Sequence, residues 1–177
     1  YISIIDSSAK VLLSIIRNIL NFSRLENENI KVIKCKFYKE ELFDVLEFYR
    51  SKARKKGLKL ILKTENLENL FYGDIDKIRD ILIHLVDNAI KFTKKGEILI
   101  VIKYLKSNLY ISVKDSGIGM EQDSLKTIFK PFSQLDKRVN KEYEGIGIGL
   151  GIAQKLVEVL GGQLKVKTKI GEGSEFY

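Results

Sequence analysis

Residues 97–115, EILIVIKYLKSNLYISVKD, hold two runs rich in β-branched and aromatic residues around the short polar break KSN. That is the pattern of an antiparallel hairpin. It constrains the whole chain, because the segments on either side follow a helical period instead. A hairpin set among helices rules out strict strand–helix alternation. It predicts an α+β architecture, a layer of helices on one face of a mixed sheet.

The other elements follow from period and punctuation. VIKCKFY (residues 32–38) and LKLILKT (58–64) read as strands. Residues 39–56 form a charged amphipathic helix that stops at Gly57, a C-terminal cap signal. Residues 74–92 form a second helix, opening after Gly73 with Asp74 as N-cap and a core stripe of Ile75, Ile78, Leu82, Leu85, Ala89 and Phe92. A low-regularity segment runs to about residue 145, where GIGIGLG opens an apolar helix reaching about Leu160. GGQLKVKT is a turn and strand, and GEGSEFY is a turn entering a last strand.

Residues 2–26 are different. Ile2, Ile5, Ala9, Leu12, Ile16 and Ile19 follow a 3-4-3-4-3 spacing, the seam of a helical bundle, and Leu13 and Leu20 widen the stripe. ENENIKV then reads as a linker. The expected boundary separates residues 1–28, one bundle helix, from residues 29–177. The partner helix is expected upstream or in a second subunit.

Composition excludes several classes. No apolar run approaches the roughly 20 residues needed to span a bilayer, so no membrane contact is expected of this segment. Single Cys35 cannot form an internal disulfide, which suits a reducing cytoplasm. The net charge of +8 fits either a solvated lysine-rich surface or an anionic partner. No basic stripe is interleaved with aromatics, so nucleic acid is not the expected partner.

Three segments can carry chemistry. His84, Asn88 and Lys91 sit at i, i+4, i+7 of the second helix. An amide oxygen suits Mg²⁺ and an ammonium one turn on suits phosphate, or the three are a solvated polar edge. In KDSGIGM, Asp115 ends a strand before two glycines. A buried carboxylate there accepts from an exocyclic amine such as that of adenine, or it caps a tight turn. GIGIGLG runs into a helix, where backbone N–H groups and the helix dipole make an anion site. It is neither a Rossmann fingerprint nor a Walker loop.

In order along the chain, ILIHLVDNAIKFT, DSGIGM, IFKPFSQ, GIGIGLGI and GEGSEF resemble the N, G1, F, G2 and last glycine boxes of sensor histidine kinases. These kinases belong with gyrase, Hsp90 and MutL among the Bergerat-fold ATPases. ILNFSRLE is similar to the end of the second dimerisation helix that precedes this module, and FSQLD with YEGIGIGLGIAQKLV resembles hybrid-type kinases. The resemblance implies a two-layer sandwich of a mixed sheet and about three helices, preceded by one long dimerisation helix. It implies that Asn88 binds the Mg²⁺ of ATP, Lys91 contacts phosphate and Asp115 reads the adenine amine. Gly117 and Gly119 shape the adenine pocket, and Gly145, Gly147 and Gly149 cradle phosphate. Residues 120–146 are the ATP lid, anchored by Phe129 and Phe132. Phe92, Ile118, Arg138, Ile148 and Leu150 complete the implied ATP-binding set. The implied reaction is phosphorylation of a histidine on the first dimerisation helix, for transfer to a response regulator receiver domain, by a cytoplasmic homodimer that binds ATP or ADP. The phosphoacceptor motif H-E-x-R-T-P is absent from the sequence, so this chain is expected to be a fragment.

His84 departs from the pattern. Gyrase and Hsp90 relatives carry a glutamate four residues before the metal-binding Asn, and histidine kinases usually carry Asn. Without the carboxylate, efficient hydrolysis to water is not expected. His84 is then a polar residue at the helix edge, a nucleotide or Mg²⁺ contact, or a general base. Ile146 and Ile148 also replace the usual G-T/S-G-L-G-L residues, and one hydroxyl contact from lid to phosphate comes into question. Two other functions stay open beside the kinase: a Bergerat-fold ATPase machine and a non-catalytic nucleotide-sensing interaction module.

Overall fold

The computed structural model describes residues 30–105, 108–131 and 147–177, together with residues 9, 12, 13, 16, 20 and 23. Its elements are β1 (Cys35–Tyr38), α1 (Lys39–Lys55), β2 (Lys59–Glu65), β3 (Leu70–Gly73), α2 (Ile75–Phe92), β4 (Glu97–Leu105) and β5 (Asn108–Asp115). A 3₁₀ turn (Gln122–Lys126), α3 (Gly149–Val159), β6 (Val166–Lys169) and β7 (Gly173–Phe176) follow. Ala9, Leu12, Leu13, Ile16, Leu20 and Ser23 are helical, with the four larger apolar side chains exposed. The rest of the helix expected over 2–26 lies outside the described residues. No helix among the described residues is long and apolar enough to cross a membrane.

Five strands form the main sheet in the order β2-β4-β5-β7-β6. β2 runs parallel to β4 and the other pairs are antiparallel, so the sheet is mixed. Alternation along β4 decides which face is covered. Ile98, Ile100 and Ile102 point inward and are fully buried, while Leu99, Val101 and Lys103 lie opposite Lys114, Ser112 and Tyr110 on the other face. Against the inner face pack Leu82, Leu85, Val86 and Ala89 of α2, Leu46 and Ala53 of α1, and Ile152, Ala153 and Leu156 of α3. Burying each such aliphatic side chain contributes about 1.5–3 kcal/mol. The buried face of α2 is wider than its sequence stripe. Ile81, Val86 and Ile90 are buried, whereas Ile78 and Phe92 are only half so. The reason is that α2 is flanked by a helix on each side.

β3 carries no clear alternation and was not among the expected strands. It pairs antiparallel with β1 in a separate two-stranded sheet. Phe37 and Phe71 stack there with centroids 5.5 Å apart, over Leu42 and Ile75.

Asp74 joins this small sheet to α2. Its Oδ1 accepts from Lys77 N at 3.2 Å, its Oδ2 accepts from Ile33 N at 2.9 Å, and Lys77 Nζ lies 2.7 Å from Oδ2. Burial opposes its charge, but the Lys77 ammonium and the two backbone donors outweigh it and hold the carboxyl below its usual range. Asp74→Ala should lower the free energy of unfolding at pH 7 by about 2 kcal/mol, and Asp74→Asn, which keeps a capping oxygen, by less. A depressed folded-state pKa means that the contribution is present above the unfolded value, about 4, and is lost as pH falls through the folded one. Urea melts at pH 7 and pH 3 measure both effects. A gap between wild type and Asp74→Ala that does not narrow at pH 3 would refute the ionic part.

Candidate functional site

Asp115 ends β5 and is 5% exposed. Gly117 N and Ser174 N donate to its Oδ1 at 2.8 and 3.3 Å. Among the described residues no donor is placed on Oδ2. Burial pushes its pKa up, and the two backbone donors pull it down by stabilising the ionised form.

The loop after Asp115 is held from both sides. Ile118 N donates to Phe92 O at 3.3 Å, at the C-terminal end of α2. Gly171 N donates to Ile118 O at 2.7 Å, and Met120 N to Thr168 Oγ1 at 2.9 Å. Two glycines make this closeness possible. Gly119 has φ +66°, and a Cβ there would lie 1.9 Å from Lys169 O; Gly173 has φ +86°, and its Cβ would lie 2.0 Å from Asp115 O. Gly117 also leaves no room, since a Cβ would meet Phe92 O at 2.5 Å.

α2 presents the second part of the site. His84, Asn88 and Lys91 are half-buried. Lys91 Nζ lies 4.7 Å from the Phe92 ring centroid, and burial lowers its pKa while Asp87 partly restores it. Asp87 itself is paired with Lys52 of α1. Lys56 Nζ donates to the carbonyls of Ile90 and Lys91 at 2.6 and 2.9 Å and so caps the end of α2.

The third part is the start of α3. Gly147 has φ +73°, Ile148 is buried, and Leu150 is half-buried. Ile148 is the N-cap and has no side-chain hydrogen bond to offer, so the first N–H groups of α3 are left for other acceptors. His84 Nδ1 lies 3.4 Å from the position a Cβ on Gly149 would take, which puts the imidazole against the start of α3.

A divalent cation fits this arrangement only with help. The Asn88 amide is a hard donor without a hydrogen-bond partner among the described residues. No group of three or more His, Cys, Asp or Glu among them forms a metal cage. Phosphate oxygens would have to supply most of the ion's shell.

The structure therefore brings Phe92, at the end of the helix that carries Asn88 and Lys91, against Gly117 and Ile118, and brings Gly149 against His84. Phe129 lies with its ring centroid 6.5 Å from that of Phe176, on the core side. Phe132, Arg138, Gly145, Ile146 and most of the expected lid over 120–146 lie outside the described residues. Sequence reasoning missed Ser174 and Thr168. Ser174 stood inside the recognised GEGSEF stretch, but Thr168 gave no signal, since one hydroxyl on a short strand has no period to reveal it.

Residues 73–177 match the family described as histidine kinase-, DNA gyrase B-, and HSP90-like ATPase. The chain belongs to this family. It is 36% identical over 182 residues to the autoinducer 2 sensor kinase/phosphatase LuxQ of Vibrio cholerae, covering 99% of this chain and 21% of that protein. It thus spans about a fifth of the length of that relative. Full-length ShkA in complex with AMPPNP superimposes with a TM-score of 0.88 at 29% identity, covering 99% of this chain and 37% of that one. Histidine kinase ThkA in complex with response regulator protein TrrA gives a TM-score of 0.75 at 27% identity, covering 99% and 48%.

Two outcomes follow for the folded chain. Gly119→Ala should cost at least about 2 kcal/mol of stability, from an incompatible φ and a backbone clash, as thermal melts would show. His84 is the only histidine, and burial lowers its pKa against a partial pull from Asp87. Its contribution to stability is complete above the unfolded value, about 6.5, and is lost as pH falls from there toward the folded one. His84→Asn should flatten the stability curve below about pH 6.5. Parallel curves for the two proteins would mean that the imidazole charges as readily folded as unfolded.

Proposed function

We propose that this chain is the ATP-binding catalytic part of a two-component histidine kinase. On this reading it donates the γ-phosphoryl group of ATP to a histidine on a dimerisation helix, and a response regulator receiver domain then takes the phosphoryl group. The observation that carries the reading is Asp115, a buried carboxylate whose protein hydrogen bonds fall on one oxygen. Its other oxygen can only accept, which suits the exocyclic amine of adenine. ShkA binding AMPPNP and ThkA binding a response regulator support the same assignment.

Phosphoryl transfer asks for positioning and charge stabilisation more than for covalent help. Lys91 would supply positive charge to the phosphates, and the opening N–H groups of α3 would take their oxygens. Asn88 would hold Mg²⁺, which when bound neutralises phosphate charge. Residues 1–28 would form the second dimerisation helix and 29–177 the catalytic unit, in a homodimer located in the cytoplasm.

Asp115→Asn should weaken binding of a fluorescent ATP analogue by about 1–3 kcal/mol. Unchanged affinity would remove Asp115 from the adenine site. In the full-length protein, Asn88→Ala should abolish labelling by γ-labelled ATP while circular dichroism stays native. Normal labelling in that folded variant would contradict the metal role.

A further inference from the structure

The main sheet has a second face. The alternation that turns Ile98, Ile100 and Ile102 toward the helices turns Leu99 and Val101 the other way, beside Ile61 of β2. These three are half-buried and take no part in either hydrophobic core. Two tyrosines lie on the same face. Lys103 Nζ stands 4.9 Å from the Tyr110 ring centroid, the Tyr110 and Tyr177 centroids are 6.3 Å apart, and Lys167 Nζ stands 4.8 Å from the centroid of Tyr177. This line of lysine, tyrosine, tyrosine and lysine crosses β4, β5, the end of β7 and β6. It is invisible in the sequence because each strand supplies a single member. Lys63, Lys114 and Lys165 are exposed on this face, beside Val101, Leu99 and Tyr177, and have no ion-pair partner among the described residues. The acids there are engaged or marginal. Glu175 accepts from Ser112 Oγ at 2.8 Å, Glu65 lies 3.9 Å from Lys103, and Glu97 stands at the start of β4.

We propose that this outer face docks an acidic amphipathic helix of a partner protein, whose apolar stripe lies on Leu99, Val101 and the tyrosines and whose carboxylates meet the lysines on either side. The dimensions agree. The edge strands β2 and β6 are four strand spacings apart, about 19 Å, which leaves Lys63 and Lys165 flanking a helix of roughly 10–12 Å diameter. Charge selects among the partners. A second copy of this chain would bring the same lysines and be repelled. A nucleic-acid base would have to take the place of an ammonium already against each tyrosine ring. A bilayer needs apolar side chains that project, and Ile61, Leu99 and Val101 are half-buried. The candidate nucleotide site is not involved, since Asp115 shares the helix side of the sheet with Ile98.

The test titrates the whole chain into a fluorescein-labelled helical peptide of about 18 residues, with a leucine stripe at i, i+3, i+4, i+7 flanked by glutamates, and follows anisotropy. Saturable binding that weakens as salt rises is expected. Lys165→Glu with Lys167→Glu should weaken it at least about fivefold. Arg54→Glu with Lys55→Glu, the same charge change on α1, should leave it unaltered, with circular dichroism native in both double variants. In ¹⁵N correlation spectra the peptide should shift the amides of Val101, Ser112 and Tyr177. Equal weakening by the two double variants, or shifts confined to the helix side of the sheet, would overturn the assignment of the face. No binding of the peptide, or tighter binding of an oligothymidylate or of phosphatidylserine vesicles, would overturn the acidic helix as its occupant.

Discussion

A carboxylate taken out of water costs several kcal/mol unless donors replace the water it loses. Asp115 is such a group, and the donors that hold it are Gly117 N and Ser174 N. One lies two residues on and the other belongs to β7, so the charge ties the end of β5 to the glycine loop and to the last strand. The same loop is bonded to the end of α2 through Phe92 O. Three elements are thus brought to one point by the need to satisfy a single buried acid, and the floor of the candidate site is where they meet.

Glycine is what allows the approach. At Gly119 and Gly173 the backbone takes positive φ and a carbonyl occupies the space a Cβ would fill. Glycine weakens regular structure by its conformational freedom. Here that freedom is exchanged for a rigid loop bonded on both sides. The α3 edge is built differently: its first N–H groups lack a side-chain cap, and its first residue, Gly149, lies against His84 of α2. One part of the site is therefore tied down on both sides with an acceptor, Asp115 Oδ2, to spare, and the other is left with donors to offer.

Much of the fold was legible because it is periodic or punctuated. The hairpin of β4 and β5, the helix opening at Asp74 and the stop at Gly57 follow local rules that need no partner. β3 was not legible. Its four residues are too few for alternation to register, and its pairing with β1 spans a helix and a strand. The candidate residues around Asp115 were legible as a motif, yet the reason for that motif's shape lies in Thr168 and Ser174, which no local rule singles out.

The sequence by itself determined the α+β class, the helix caps, the glycine positions, and the one-turn spacing of His84 and Asn88. Each is set by the preferences of a few adjacent residues. Only the tertiary structure decided that Ser174 would reach Asp115 across 59 residues, that Thr168 would hold Met120 across 48, and that the His84 imidazole would lie against Gly149. Such contacts need one residue from each of two distant elements. They leave no period in either, so they exist only once the sheet and helices have been packed together.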